Sequence, residues 1–429
     1  MKTEQVLRGL KGNIVYSKTP DVLEICENGF LVYEGNEIKG VYEELPEEYR
    51  DIPIEDYEER LIIPGLVDLH VHAPQYAFRG LGMDMELLDW LNTNTFPEES
   101  KYRDLEYAEK AYRIFVENMR QGATTRACIF ATIHRESTLL LMDLLEESGL
   151  SAMVGKVNMD RNSPEYLVET TEESAEETIK WLEEAAERNY RRIKPILTPR
   201  FIPSCTDELM KKLKSIQLKY QLQMQSHLSE NFGEISWVQE LCPDSAFYGD
   251  AYDQFGLFGK ECKTVMAHCV HSDEREIERM KENGVFIAHC PESNMNLSSG
   301  AAPVRTYLDR KLNVGIGSDV AGGATENLFT AMAHAIQASK LRWRLLDDSL
   351  KPLTAPEVFY MATKGGGAFF GQVGSFEPGF ELDAVVLDDT RIVHSQNLDV
   401  RERLERMIYL ADEREVRAKY VRGREICLQ

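Results

Sequence analysis

The chain has 429 residues, 43% of them hydrophobic, and a formal net charge of -23. Its length exceeds the roughly 250–300 residues that one core usually holds, so a large domain with a smaller companion is expected. So acidic a balance argues against broad binding to phosphate backbones or anionic membranes, which require a basic stripe.

No apolar run nears the roughly 18 residues of a membrane span, and Met1-Lys2-Thr3-Glu4 lacks the apolar core of a signal peptide. The eight cysteines are scattered without a C-x-x-C spacing, which reads as reduced thiols in a cytoplasmic protein. Cys128, Cys269 and Cys290 lie inside apolar runs and read as small core residues.

In chain order, residues 1–63 alternate apolar and polar positions, and Gly35-Asn36 between two such runs predicts a tight hairpin in a small antiparallel β unit. From Leu66 the texture changes to strands alternating with helices. Leu66 to His72 is the first strand, set off by Pro64-Gly65. A helix over 104–120 leads to a strand over 124–132. Ser137 is expected to cap a helix that ends at Gly149, before a third strand over 152–159. An acidic amphipathic helix over 172–188 precedes the fourth strand at 193–198. Thr206 opens the next helix, and 221–226 is the fifth strand. Residues 263–269 form the sixth, and Ser272 is expected to cap a helix closed by Asn283-Gly284. Residues 285–290 and 313–317 are the seventh and eighth.

Eight strands each followed by a helix define a closed (β/α)8 TIM barrel, an α/β architecture, over 65–374. An open doubly wound sheet fits less well, because no Gly-x-Gly-x-x-Gly turn follows any strand. The tail returns to β texture around Ala384 to Leu387 and Val416 to Ile426. Residues 1–64 and 375–429 are each too short-stranded to hold a core alone. They are expected to pack together as a smaller β-sandwich domain beside the barrel.

Chemistry in such a barrel gathers where the strands end. His70 and His72 stand two apart on one strand, so their imidazoles share a face. His227 ends the fifth strand, His268 the sixth, and Asp319 the eighth. Any one of these alone is as readily a packed core residue. Five together at strand ends point to a metal site for zinc, with iron also compatible. The fourth strand ends in Thr198-Pro199-Arg200 rather than a lysine able to bridge two ions, so one ion is expected. Glu230, three residues past His227, is placed to shuttle protons.

These stretches identify the chain as similar to the amidohydrolase superfamily, over nearly its full length: Pro64-Gly-Leu-Val-Asp-Leu-His-Val-His72, His227, His268 and Ser318-Asp319. Three longer motifs resemble its guanine-deaminating branch: 72–80 with Gln75, Thr198-Pro199-Arg200-Phe201, and Ser226-His227-Leu228-Ser229-Glu230-Asn231. Gly317 to Gly323 is a fourth. The resemblance implies one zinc held by His70, His72, His227 and His268, with Asp319 at the attacking water. It also implies conversion of guanine to xanthine and ammonia, by a homodimer. Catalysis would fall to Glu230, Asp319 and His268.

Guanine offers acceptors at O6 and N7, which suit an arginine fork. Arg200 is the natural reader, Gln75 can meet another ring edge, and Phe201 and Trp90 are stacking walls. His134 and His289 read as pocket-rim or hydrogen-bonded supporting residues, and His271 as a weaker pocket contact. Aminohydrolases and chlorohydrolases of other rings, and a non-enzymatic metal-binding barrel, remain the competing readings.

Overall fold

Strand and helix alternate from Leu66 onward as the hydrophobic periods dictate, and in the computed structural model, which describes residues 6–428, they close on themselves. The N-terminal residues read for a leader lie outside the described residues. Strands Leu66–His72, Thr124–Phe130, Ser151–Gly155 and Ile193–Pro195 pair in parallel in that order. Met224–Leu228, Thr264–His268, Phe286–His289 and Asn313–Ile316 do the same.

Backbone bonds join the two sets at both seams. Leu197 N–H donates to Gln223 O at 2.9 Å and Gln225 N–H to Leu197 O at 3.0 Å. Across the other seam, Asp319 N–H donates to His70 O at 2.8 Å and His72 N–H to Val320 O at 3.1 Å. The third and fourth strands break and resume as Val157–Asn158 and Thr198–Pro199, which pair with each other. Every residue of the first two strands is buried, as expected when a parallel sheet is covered on both faces.

Two helix starts differ from expectation. Helix Arg135–Ser148 begins after His134, and Ser137 lies inside its first turn, where its Oγ donates to His134 O at 3.2 Å. Helix Glu274–Asn283 is capped by Asp273, not Ser272. Its carboxylate accepts the Glu276 N–H at 2.9 Å, and a negative cap is favoured at the positive end of the helix dipole.

The two ends of the chain meet in one seven-stranded sheet. Its order is Arg424–Ile426, Val416–Val421, Ala384–Leu387, Ile54–Pro64, Leu7–Thr19, Val22–Glu34, Glu37–Tyr42. Gly35-Asn36 forms the expected hairpin turn, with Gly35 at φ +63°. The sheet is mixed rather than antiparallel throughout, because Leu7–Thr19 runs parallel to Ile54–Pro64. Its own core includes Leu10, Ile14, Leu31, Ile62 and Val386. Between the two stretches read as β, the tail also holds a helix, Val400–Leu410.

Buried polar groups fasten this sheet to the second barrel strand. Arg126 Nε donates to Asp383 at 2.5 Å. Lys419 Nζ donates to the carbonyls of Met119 and Thr124, at 2.9 and 2.8 Å. No helix among the described residues is long and apolar enough to cross a membrane. The eight cysteines are all unpaired, and Cys128, Cys269 and Cys290 are fully buried.

Candidate active site

The two-residue period of the first strand brings His70 and His72 to one face, and barrel closure brings the other strand ends to them. His72 Nε2 lies 3.2 Å from both His70 Nε2 and His227 Nε2. Asp319 Oδ1 lies 3.0 Å from His70 Nε2 and 3.5 Å from His72 Nε2. A tetrahedral ion with ligands at about 2.0–2.1 Å needs donors roughly 3.3 Å apart. The group meets that requirement, and the residues fit a single divalent ion.

Supporting contacts set the tautomers that such an ion needs. His227 Nδ1 faces Arg200 O at 2.6 Å, and His268 Nδ1 faces Asn294 Oδ1 at 3.0 Å. Each acceptor requires a proton on Nδ1, which leaves the Nε2 lone pair free to ligate. Burial pushes the pKa of His70 down, and those of His72 and His227 well down, favouring neutral rings. Burial alone would raise Asp319, but the adjacent His70, His268 and His72 hold it well below the usual carboxylate range.

Asp68 braces this arrangement between strands. It accepts the His70 N–H at 3.1 Å, the Ser318 N–H at 3.0 Å and the Ser318 hydroxyl at 2.5 Å. Ser229, His268 and Asp319 adopt left-handed backbone, at φ +47°, +73° and +48°. Such strain costs about 1–3 kcal/mol per residue and collects at functional sites.

His268 stands back from the tight group. Its Nε2 is 3.4 Å from Glu230 Oε2 and 3.8 Å from Asp319 Oδ2, between the ion site and the proton carrier. Glu230 is buried and accepts from Ser299 Oγ at 3.2 Å. Burial, with the Asp319 charge nearby, pushes its carboxyl well above the ordinary range. Glu234 Oε2 accepts the Glu230 N–H at 3.0 Å, and its Oε1 accepts from Tyr248 OH at 2.6 Å.

Gln75, Arg200, Phe201 and Trp90 line the same pocket as His72, His227 and Glu230. Gln75 Nε2 and Arg200 Nη1 both donate to Glu99, at 2.9 and 2.7 Å. Trp90 is anchored by its indole N–H to Leu81 O at 3.2 Å and packs on Phe78. Phe201 meets Trp237 edge-on.

The remaining histidines lie outside this constellation. His289 is buried with Nδ1 unpartnered, and His134 Nε2 is also unpartnered among the described residues, so neither ring nitrogen makes the hydrogen bond expected of it. His271 Nε2 bonds Ser299 O at 2.6 Å beneath the stacked ring of Phe232. Sequence reasoning missed Glu99, Glu234, Asn294 and Ser299. Glu99, Asn294 and Ser299 act on residues distant in the chain, so no local spacing marks them. Glu234 acts four residues back, on the Glu230 N–H, and that spacing could have marked it.

The fold and site define a metal-dependent hydrolase of the barrel type, and the profile of the amidohydrolase family matches residues 61–426. The chain belongs to that family. Relatives covering nearly its whole length are guanine deaminases. The mouse (Mus musculus) protein is 40% identical over 94% of this chain and 91% of its own. That of Escherichia coli is 35% identical over 99% and 98%. A crystal structure of guanine deaminase from C. acetobutylicum with bound guanine in the active site is 47% identical. It superposes with a TM-score of 0.95, covering 98% of this chain and all of that one.

Proposed function

We propose that this chain hydrolyses guanine to xanthine and ammonia. The observation that carries the reading is one pocket lined both by the imidazole–carboxylate ion site and by the donors of Arg200 and Gln75. His70, His72 and His227 with Asp319 would hold the ion, zinc in this reading, and His268 is within reach of it. When bound, such an ion supplies Lewis acidity and lowers the pKa of a water to about 7.

The chain's own groups do the rest. Arg200 and Gln75 grip the acceptor edge of the ring and set C2 toward the ion site, while Phe201 and Trp90 flank it. Asp319, held ionised, accepts the proton that the attacking water gives up. Glu230, held protonated by burial, delivers a proton to the ring nitrogen beside C2. It then passes the proton that Asp319 took from the water on to the departing amine, and is itself restored by the proton of the C2 hydroxyl as the carbonyl forms. An adenine-type ring presents a donor where guanine has O6, which leaves the ring-facing N–H groups of Arg200 buried without an acceptor. That mismatch disfavours it by several kcal/mol.

The test is ultraviolet conversion of guanine to xanthine by metal-replete protein. No conversion would refute the substrate. Arg200→Ala should abolish guanine turnover while retaining the metal, and unchanged turnover would remove the base-reading role. We further propose a cytoplasmic homodimer with two units, 65–374 and a β-sandwich of 1–64 with 375–429.

A further inference from the structure

Glu99 joins the two residues that face the base. It sits on the short helix Phe96–Ser100, 1% exposed, and both of its carboxylate oxygens are used. Oε1 accepts from Gln75 Nε2 and Oε2 from Arg200 Nη1. Gln75 Oε1 in turn accepts the Ala321 N–H at 3.2 Å. A flipped amide would set oxygen against carboxylate and NH2 against N–H, so only one orientation survives. Gln75 therefore has one N–H left for the ring, and its oxygen is already committed to Ala321.

Arg200 is 3% exposed and pairs with Glu99 in a space that excludes water. Its guanidinium carbon lies 5.2 Å from the ring centroid of Phe96, on the same helix. An uncompensated guanidinium here would attract anions strongly, because charges interact more at low dielectric. Guanine is neutral near pH 7. Xanthine, with an imide in place of the amidine, is the stronger acid and is partly anionic.

We propose that Glu99 is a positioning residue that makes the pocket prefer the neutral substrate over the anionic product. It fixes Gln75 as a donor and cancels the charge of Arg200. This rests on the reading of Gln75 and Arg200 as ring contacts.

The experiment measures the KM for guanine and the inhibition constant of xanthine for wild type, Glu99→Gln and Arg200→Gln. In Glu99→Gln the ratio of the xanthine constant to the guanine KM should fall by about tenfold or more. Its affinity for xanthine should also strengthen with pH more steeply than in wild type. If both constants move by one factor, or neither moves, while Arg200→Gln raises the guanine KM, the proposal is overturned. If Arg200→Gln leaves that KM unchanged, the base-reading assignment itself fails and the proposal falls with it. Should Glu99→Gln not fold, the double variant leaves no buried charge unpaired and is compared with Arg200→Gln. Arg200→Gln leaves Glu99 as an uncompensated anion that repels xanthine, so the ratio should be lower in the double variant, and an equal ratio would overturn the proposal.

Discussion

Replacing Lys419 with methionine should change how stability depends on pH. Lys419 is fully buried where the terminal sheet meets the barrel, held by the carbonyls of Met119 and Thr124. Burial, reinforced by the charge of Arg120, lowers its pKa from 10.5 to about 7. A lysine with a depressed folded pKa binds fewer protons folded than unfolded, so stability rises with pH across that window. The penalty is complete below about pH 7 and vanishes toward pH 10.5. At about 1.4 kcal/mol per pH unit, wild type should gain roughly 2 kcal/mol between pH 7 and 9 from this group. Other groups titrate as well, so the useful quantity is wild type minus Lys419→Met. Denaturant unfolding of both proteins at pH 7, 8 and 9 gives that difference directly. The methionine also deprives two carbonyls of a donor, but that cost does not vary with pH. A flat difference would show that the lysine keeps its ordinary pKa in the folded protein, and the reasoning would be wrong.

Glu230→Gln keeps the shape but loses the transferable proton. It should lower kcat by about 10²–10⁴ with metal content unchanged, and full activity would exclude Glu230 as the proton carrier. His227→Ala removes one donor of the ion group, and elemental analysis after dialysis should find less than one bound ion per chain. Retention of a full equivalent would show that the site is held by other residues. Chelation of wild type should abolish guanine turnover, with restoration by added zinc, and activity that survives complete metal loss would contradict the site's role.

Much of the barrel and half of the site were legible locally. His70 and His72 were readable because a strand repeats every two residues, and the strand ends locate His227, His268 and Asp319 because parallel barrels expose one edge. Glu230 followed from its distance to His227. Buried parallel strands such as Phe286–His289 read as apolar runs up to their terminal histidine because they are covered on both faces. Cap identity was less legible at Ser137 and Ser272. Several neighbouring polar residues can cap, and the packed entry angle of the helix chooses between them.

What only the tertiary structure decided is which distant groups meet. Glu99 stands 101 residues from Arg200, and Lys419 stands 295 from Thr124. The parallel pairing of Leu7–Thr19 with Ile54–Pro64 and the seat of Asn294 beneath His268 are of the same kind. Sequence periodicity records the side of an element that faces the core. The partners a buried polar group finds there depend on how the barrel closes, a property of the whole chain that no single stretch carries.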